Sequence, residues 1–531
     1  MRFISLLKIS LAVVLLAVVQ CTSIAQPNFS ANDKVPAYNH PFGYGTNLGY
    51  YPPWKDHQLA DIAAGNPTEN IPGVGATAIR PALPEHFVEQ YGYDIRLKEF
   101  QHYFEIGTRD NTVFIGYPSP AHKDTTRYCA EHPNESFANL YEPIWDNGEN
   151  GTPVNEENYL ASYLYKIVQL YGDNVKYWEI SNEPDFDWTN HAWLPPGKPG
   201  NWWENNPPPC QNALKAPIHH YIRMLRVSYE VIKYLSPDDY VAIGGLGYPS
   251  FLDAVCRNTD NPNNGLTNKE FPLKGGAYFD CMSFHSYPHI DGSLRHWDNG
   301  IYDFVYERHS DKAVDGVVRL HGEFKSVLEK YGYGSSYPQK AFILTECNIP
   351  RVQRDVFIGS EEAQTNFLIK SLVVAQQIGI QQYLVFDLGE TNTPEEASSE
   401  FQLMGFYKNL NTAPPGTEQI NTSGIGFKTI ATLLKKAKFD AQKTKDLQLP
   451  KGIRGAAFKQ ANNTYTYTLW AVTSKDQSEV ANQVYHFPKT FKTDLLTVKD
   501  WDFSETKKER RIKGAKIELT GAPVFVEILS Y

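Results

Sequence analysis

Two glutamates in this chain stand where carboxyl chemistry could be done. Glu183 follows the run Val175-Lys-Tyr-Trp-Glu-Ile-Ser-Asn and precedes Pro184, and Glu346 closes Lys340-Ala-Phe-Ile-Leu-Thr-Glu. Each ends a short apolar stretch. Tyr177, Trp178 and Ile180 suit a strand, and Pro184, with no N–H to donate, stops the ladder. Two carboxyl groups facing each other across a cleft can split a glycosidic bond. One protonates the leaving oxygen; the other attacks the anomeric carbon at about 5–5.5 Å separation, or activates water at about 6.5–9.5 Å. The two residues are far apart in sequence, so the chemistry requires a fold that brings both strand ends to one place.

The elements around them describe such a fold. Strand-like runs occur at Gly43–Tyr51, Ala76–Pro81, Thr112–Tyr117, Val175–Pro184, Tyr240–Leu246, Phe279–Tyr287, Lys340–Glu346 and Ile380–Leu388. Helical spacing falls between them at Tyr93–Ile106, Glu157–Tyr171, Ile218–Leu235, Val317–Tyr331 and Glu361–Ile378, and Phe427–Lys438 closes the series. Ser360 and Gly379 supply caps for the fifth of these helices. Eight alternations predict an α/β fold, a parallel (β/α)8 TIM barrel over 26–440. Strands four and seven would then aim Glu183 and Glu346 into one cleft at the C-terminal face. Residues 441–531 have period-2 runs such as Thr464–Ala471 and Pro523–Leu529 and read as a β-sandwich domain. Two irregular insertions, Asp185–Pro217 and Arg257–Gly276, are long enough to be functional. The first contains Trp188, Trp193, Trp202 and Trp203, a density that argues for order.

Trp-Glu-Ile-Ser-Asn-Glu-Pro resembles the Asn-Glu-Pro signature of the clan A retaining glycoside hydrolases, with a layout similar to family 39, family 30 or family 86 enzymes. The resemblance implies Glu183 as general acid/base and Glu346 as nucleophile. It further implies Asn182 as the partner of the sugar's 2-hydroxyl and Arg80 as the cation that keeps the nucleophile ionised. His285 and Tyr287 match positions that contact the nucleophile or sugar. Glu183 is expected to need a raised pKa. Many clan members place a Trp floor at the end of the eighth strand; here Phe386 stands in Val385-Phe386-Asp387-Leu388. Trp188, in the insertion, is a candidate subsite wall. Glu179 lies in the same strand as Glu183 but before its mouth and reads as structural.

The bulk numbers narrow the partners. A net charge of -10 argues against nucleic acid or anionic membrane, both of which are bound through basic surface. With 13% aromatics, including 10 Trp and 33 Tyr, the chain suits stacking against sugars as well as ordinary core building. The segment 1–25 reads as a signal peptide, with Arg2 and Lys8, the apolar run 9–19 and the small residues Ser23 and Ala25 before Gln26. Its apolar run is shorter than the ~20 residues of a membrane span. Export in soluble form is expected over lipid anchoring at Cys21, because Gln20 is not the small residue that lipoprotein cleavage requires. Five further cysteines are too widely spaced for a metal ribbon or a disulfide framework, and most read as small buried hydrophobes. Pro288 breaks the His285/His289 spacing as a helical ligand pair, so no metal and no cofactor is expected.

These observations lead to one expectation and two alternatives. The expectation is a secreted retaining glycosidase that cleaves β-linkages in a polysaccharide or its oligosaccharides. Lys123, Arg127, Arg295, His296 and Arg351 near the mouth favour an algal galactan, as for an agarase, porphyranase or carrageenase. The first alternative is an exo-acting β-glycosidase on neutral plant glycans, such as a xylosidase or glucosidase. The second is a non-catalytic glycan-binding barrel.

Overall fold

The computed structural model describes residues 28–146, 148–189 and 191–529. The expected signal segment at 1–25, with Cys21, lies outside the described residues. Eight strands form one sheet: β1 (Gly43–Thr46), β2 (Ala78–Ile79), β3 (Asn111–Ile115), β4 (Val175–Ile180), β5 (Tyr240–Ile243), β6 (Cys281–Ser286), β7 (Ala341–Cys347) and β8 (Gln382–Val385). Their order is β2-β1-β8-β7-β6-β5-β4-β3, and every pair is parallel. A parallel bridge between Ala82 and Phe114 joins the two outer strands, β2 and β3. All eight strands are present in the expected order, as a TIM barrel.

The floor of the barrel is apolar. Tyr177, Tyr240, Ala242, Cys281, Ala341 and Ile343 pack inside it, with Val35 and Tyr38 of the lead-in against them. The Tyr240 hydroxyl donates to the Pro36 carbonyl at 2.6 Å, so the lead-in plugs the N-terminal end. This leaves the C-terminal end as the one where a site can open.

The helices cover the outer face. Ile218–Leu235 has the expected bounds. Glu361–Gln377 is capped by Ser360, whose side chain accepts from the Ala363 N–H, and Gly379 follows at φ +85°. One helix starts earlier than its apolar spacing predicts, at Ser310 rather than Val317. Its first turn, Ser310 and Asp311, is polar yet buried, because it docks on the C-terminal domain instead of facing water. Short helices at Asp56–Ala64, Glu85–Tyr91 and Pro249–Arg257, and an antiparallel hairpin at Arg295–Asp298 and Asp303–Tyr306, were not legible as such.

The C-terminal part has a six-stranded and a two-stranded antiparallel sheet, and the six-stranded one begins with Lys438–Phe439. The runs expected at Thr464–Ala471 and Pro523–Leu529 are strands Tyr465–Ala471 and Val524–Leu529, paired with each other. Asp311 of the barrel accepts from Trp470 Nε1 at 2.9 Å, the Thr473 N–H at 2.9 Å and Lys370 Nζ at 2.8 Å. Glu479 of the sandwich in turn accepts from the Ser310 N–H at 2.7 Å. The two parts meet through buried charge.

Two of the cysteines pair, as export would permit. Cys129 and Cys210 form a disulfide, with Cα atoms 5.5 Å apart, because the loop after β3 lies alongside the insertion after β4. Cys256, Cys281 and Cys347 are buried thiols, as read from the sequence.

Candidate active site

The site rises in layers from the buried floor. Strand alternation points Tyr177 and Glu179 into the barrel and Trp178 and Ile180 outward. Glu179 is fully buried. Its Oε2 accepts from Arg80 Nε at 2.8 Å, and its Oε1 accepts from Ser283 Oγ at 2.5 Å and Thr345 Oγ1 at 2.8 Å. A buried carboxylate is tolerated only when paired and hydrogen-bonded, and here its partners come from across the barrel, on β6 and β7 and just after β2. Thus anchored, Arg80 directs Nη1 to Glu346 Oε1 and Nη2 to Asn182 Oδ1, each at 2.6 Å. Nη1 also donates to Asn47 Oδ1 at 3.3 Å. Burial works against the Arg80 charge, but Glu179 and Glu346 outweigh it and raise its pKa above the ordinary value.

Glu346 faces the barrel because β7 is irregular. In register with β6, Leu344 lies opposite Phe284 and Glu346 opposite His285, so Thr345 is an extra residue. The register to β8 shifts over the same stretch. In a regular strand Thr345 and Glu346 would point to opposite faces. The bulge lets both point inward, Thr345 to Glu179 and Glu346 to Arg80. The second oxygen of Glu346, Oε2, accepts from the Tyr287 hydroxyl at 2.7 Å.

Glu183 sits past the end of β4 in the left-handed region, at φ +46°, as does Ser181 at φ +70°. Such a conformation costs a non-glycine residue roughly 1–3 kcal/mol and clusters at functional sites. Glu183 Oε1 lies 2.7 Å from Nδ1 of His285, a buried ring that is also 3.6 Å from Glu346 Oε2. Gly245 makes room for that ring, since a Cβ there would come within 2.0 Å of His285 Nε2. Burial disfavours the imidazolium, but Glu346 and Glu183 outweigh it and raise the His285 pKa. For Glu183, burial pushes up, while the His285 hydrogen bond and charge, with Arg80, bring it below the ordinary value. This corrects the expectation of a raised Glu183. The neighbour that tunes it is His285, whose Nδ1 shares a proton with the Glu183 carboxylate.

One carboxylate oxygen of each glutamate and one nitrogen of His285 all lie within 4.8 Å of one another. The two carboxyl groups thus approach more closely than the about 6.5–9.5 Å of a water-activating pair, which is in keeping with direct attack. The same three atoms could surround a cation, but Arg80 and Tyr287 already hold both oxygens of Glu346. A second such group, Glu85, Glu89 and His122, is likewise engaged: Glu85 by the Ser119 N–H and His122, and Glu89 by the Tyr93 hydroxyl.

The structure thus brings together six of the residues expected from sequence: Arg80, Asn182, Glu183, His285, Tyr287 and Glu346. Phe386, after β8, lies edge-on to Tyr287 with centroids 6.0 Å apart, and the Phe386–Asp387 peptide is cis. Trp188 is not part of the constellation. It is 79% exposed and packs edge-on to Phe186, whereas Trp193 of the same insertion lines a cavity of about 290 Å³ next to Glu183. Among the mouth cations, Lys123 is paired with Glu135, Arg351 with Glu390, and His296 lies near Glu307. Arg127 is exposed, and Arg295, also exposed, lies over the Phe304 ring. Asn47, Glu179, Ser283 and Thr345 were missed as parts of the site. The available signal was Glu179 itself, a charge in an otherwise buried strand that must have a partner.

No protein-family model and no curated protein matches the chain. Solved structures do. A family 39 glycoside hydrolase from the gut symbiont Bacteroides cellulosilyticus WH2 superposes with a TM-score of 0.55 at 16% identity, covering 92% of this chain and 81% of that one. A glucosidase from Croceicoccus marinus superposes with a TM-score of 0.50 at 13% identity, covering 95% and 98%. The likeness is one of fold, and it spans the barrel and the sandwich together.

Proposed function

We propose that the protein is an exported retaining β-glycosidase acting on oligosaccharides or the polysaccharide they come from. The observation that carries this reading is the pair of carboxyl groups, each with its own tuning partners, at the spacing of a double displacement. In the first step the Glu346 carboxylate, oriented by Arg80 and Tyr287, attacks the anomeric carbon. The proton shared by Glu183 and His285 passes to the leaving oxygen. In the second step Glu183 takes a proton from water, which attacks the glycosyl ester and releases Glu346. Asn182, oriented by Arg80, is placed to bond the sugar's 2-hydroxyl. The fold shared with two glycoside hydrolases supports the reading, and the disulfide suits an oxidising compartment.

For the sugar, pairing of Lys123 and Arg351 with carboxylates, and of His296 near Glu307, removes part of the charge that would favour a sulfated galactan, while Arg127 and Arg295 remain exposed. A neutral β-linked substrate is the better match. The test is substitution with chemical rescue. Glu346→Ala and Glu183→Ala should each lower kcat by about 100-fold or more, with azide restoring turnover of an activated glycoside in one or both. Full activity in either variant would remove the assignment. Binding of a glycan panel without any product release would favour the non-catalytic alternative.

A further inference from the structure

The cavity of about 290 Å³ touches Glu183, His285 and Tyr287 but neither Glu346 nor Arg80. In a double displacement the acid stands beside the departing oxygen and the nucleophile beneath the anomeric carbon. A space that reaches the acid and not the nucleophile is where the leaving group must lie. Its walls are Phe186, Trp193, Tyr248 and Ile290, and the carboxyl groups of Asp185 and Asp291 also line it. Trp193 is 37% exposed and fixed edge-on to Tyr248 at 4.9 Å. Its loop is held by the buried Asp187, which accepts from the Thr189 and Ala192 N–H groups, and by Ser250, which donates to the Ala192 carbonyl.

We infer that this cavity is the leaving-group subsite and that it takes a neutral pyranose ring, with one apolar face on Trp193 and its hydroxyl edge toward the two aspartates. The inference rests on the glycosidase reading. Three features carry it. Flat aromatic walls match the apolar face of a pyranose. Carboxyl groups offer acceptor oxygens, which suits hydroxyl donors. No Lys or Arg lines the space among the described residues, and His285 is already paired with Glu183 and near Glu346, so an anionic sugar would find no free counter-charge. The Asp185 side chain already accepts from the Gly247 and Tyr248 N–H groups, and burial pushes its pKa up to about 7. Asp291 is paired with Arg319 at 3.1 Å, outside the lining. An aromatic leaving group would cover these carboxyls without offering them a donor.

Transfer from a glycosyl fluoride isolates the subsite. Glu346 displaces fluoride to give the glycosyl ester; the acceptor hydroxyl then attacks the anomeric carbon, Glu183 takes its proton, and Glu346 departs. The β-glycosyl fluoride turned over fastest in a panel would be offered methyl β-glucoside, β-galactoside and β-xyloside. Methyl β-glucuronide and benzyl alcohol would be the competing acceptors, with transfer products quantified by mass spectrometry. At least one neutral pyranoside should give about tenfold more transfer than the glucuronide or benzyl alcohol. Trp193→Ala should lower the ratio of transfer to hydrolysis about tenfold, with Trp193→Phe in between. Equal transfer to the glucuronide, preference for benzyl alcohol, no transfer to any pyranoside, or an unchanged ratio in Trp193→Ala would overturn the inference alone. If the protein turns over no fluoride, the glycosidase reading falls with it.

Discussion

At the scale of single residues, the pair Glu183–His285 sets how the site should respond to pH. His285 has a raised pKa, so its proton persists above the ordinary 6.5 and is lost as pH rises through the raised value. Once it is gone, the pair has nothing to give the leaving oxygen. The basic limb of kcat/KM should therefore lie above pH 6.5. In His285→Gln the proton resides on Glu183 alone, and the limb should move down by about one unit or more. A pH–rate profile of both proteins checks this; an unmoved limb would place the acid elsewhere. Glu183 and Glu346 were legible because each ends an apolar run, one of them before a proline. Their tuning was not. Sequence offers no sign that the strand-six histidine reaches the acid rather than only the nucleophile, and so the expected direction of the Glu183 shift was wrong.

Among the elements, what sequence conveyed was the alternation of strands and helices; what it hid was one-residue irregularity. The extra residue at Thr345 turns two adjacent side chains to the same face, yet Ile-Leu-Thr-Glu-Cys reads as an ordinary strand. The start of the helix at Ser310 was hidden because its polar first turn is buried by another domain. In the insertion after β4 Trp202 is buried, but Trp188 and Trp193 could not be ranked without knowing which one faces inward. That insertion is tied to the loop after β3 by Cys129–Cys210 across 81 residues. Cys210→Ser should cost about 2–4 kcal/mol of stability, read as a lower Tm against the parent under non-reducing conditions. An unchanged Tm would mean that the two loops are held by packing alone.

For the molecule as a whole, the sandwich is continuous with the barrel rather than tethered to it. Ala456, Phe458, Trp470 and Phe525 of the sandwich pack in the same apolar cluster as the barrel's outer face. Beneath them Lys370 and Asp311, both buried, form an ion pair. Asp311→Asn leaves the Lys370 charge without its main partner and should cost about 3–5 kcal/mol, with barrel and sandwich still unfolding in one transition. Two separated transitions in urea would contradict the shared core. The barrel positions the strand ends, the plugged floor leaves one open face, and there Glu346 is held for attack. The most direct test of that claim is covalent trapping. The protein would be incubated with a panel of activated 2-deoxy-2-fluoro β-glycosides, digested and mapped by mass spectrometry. One glycosyl adduct is expected, as an ester on Glu346; an adduct on Glu183 or any other residue would refute the assignment, as would hydrolysis of the parent glycosides with inversion at the anomeric carbon.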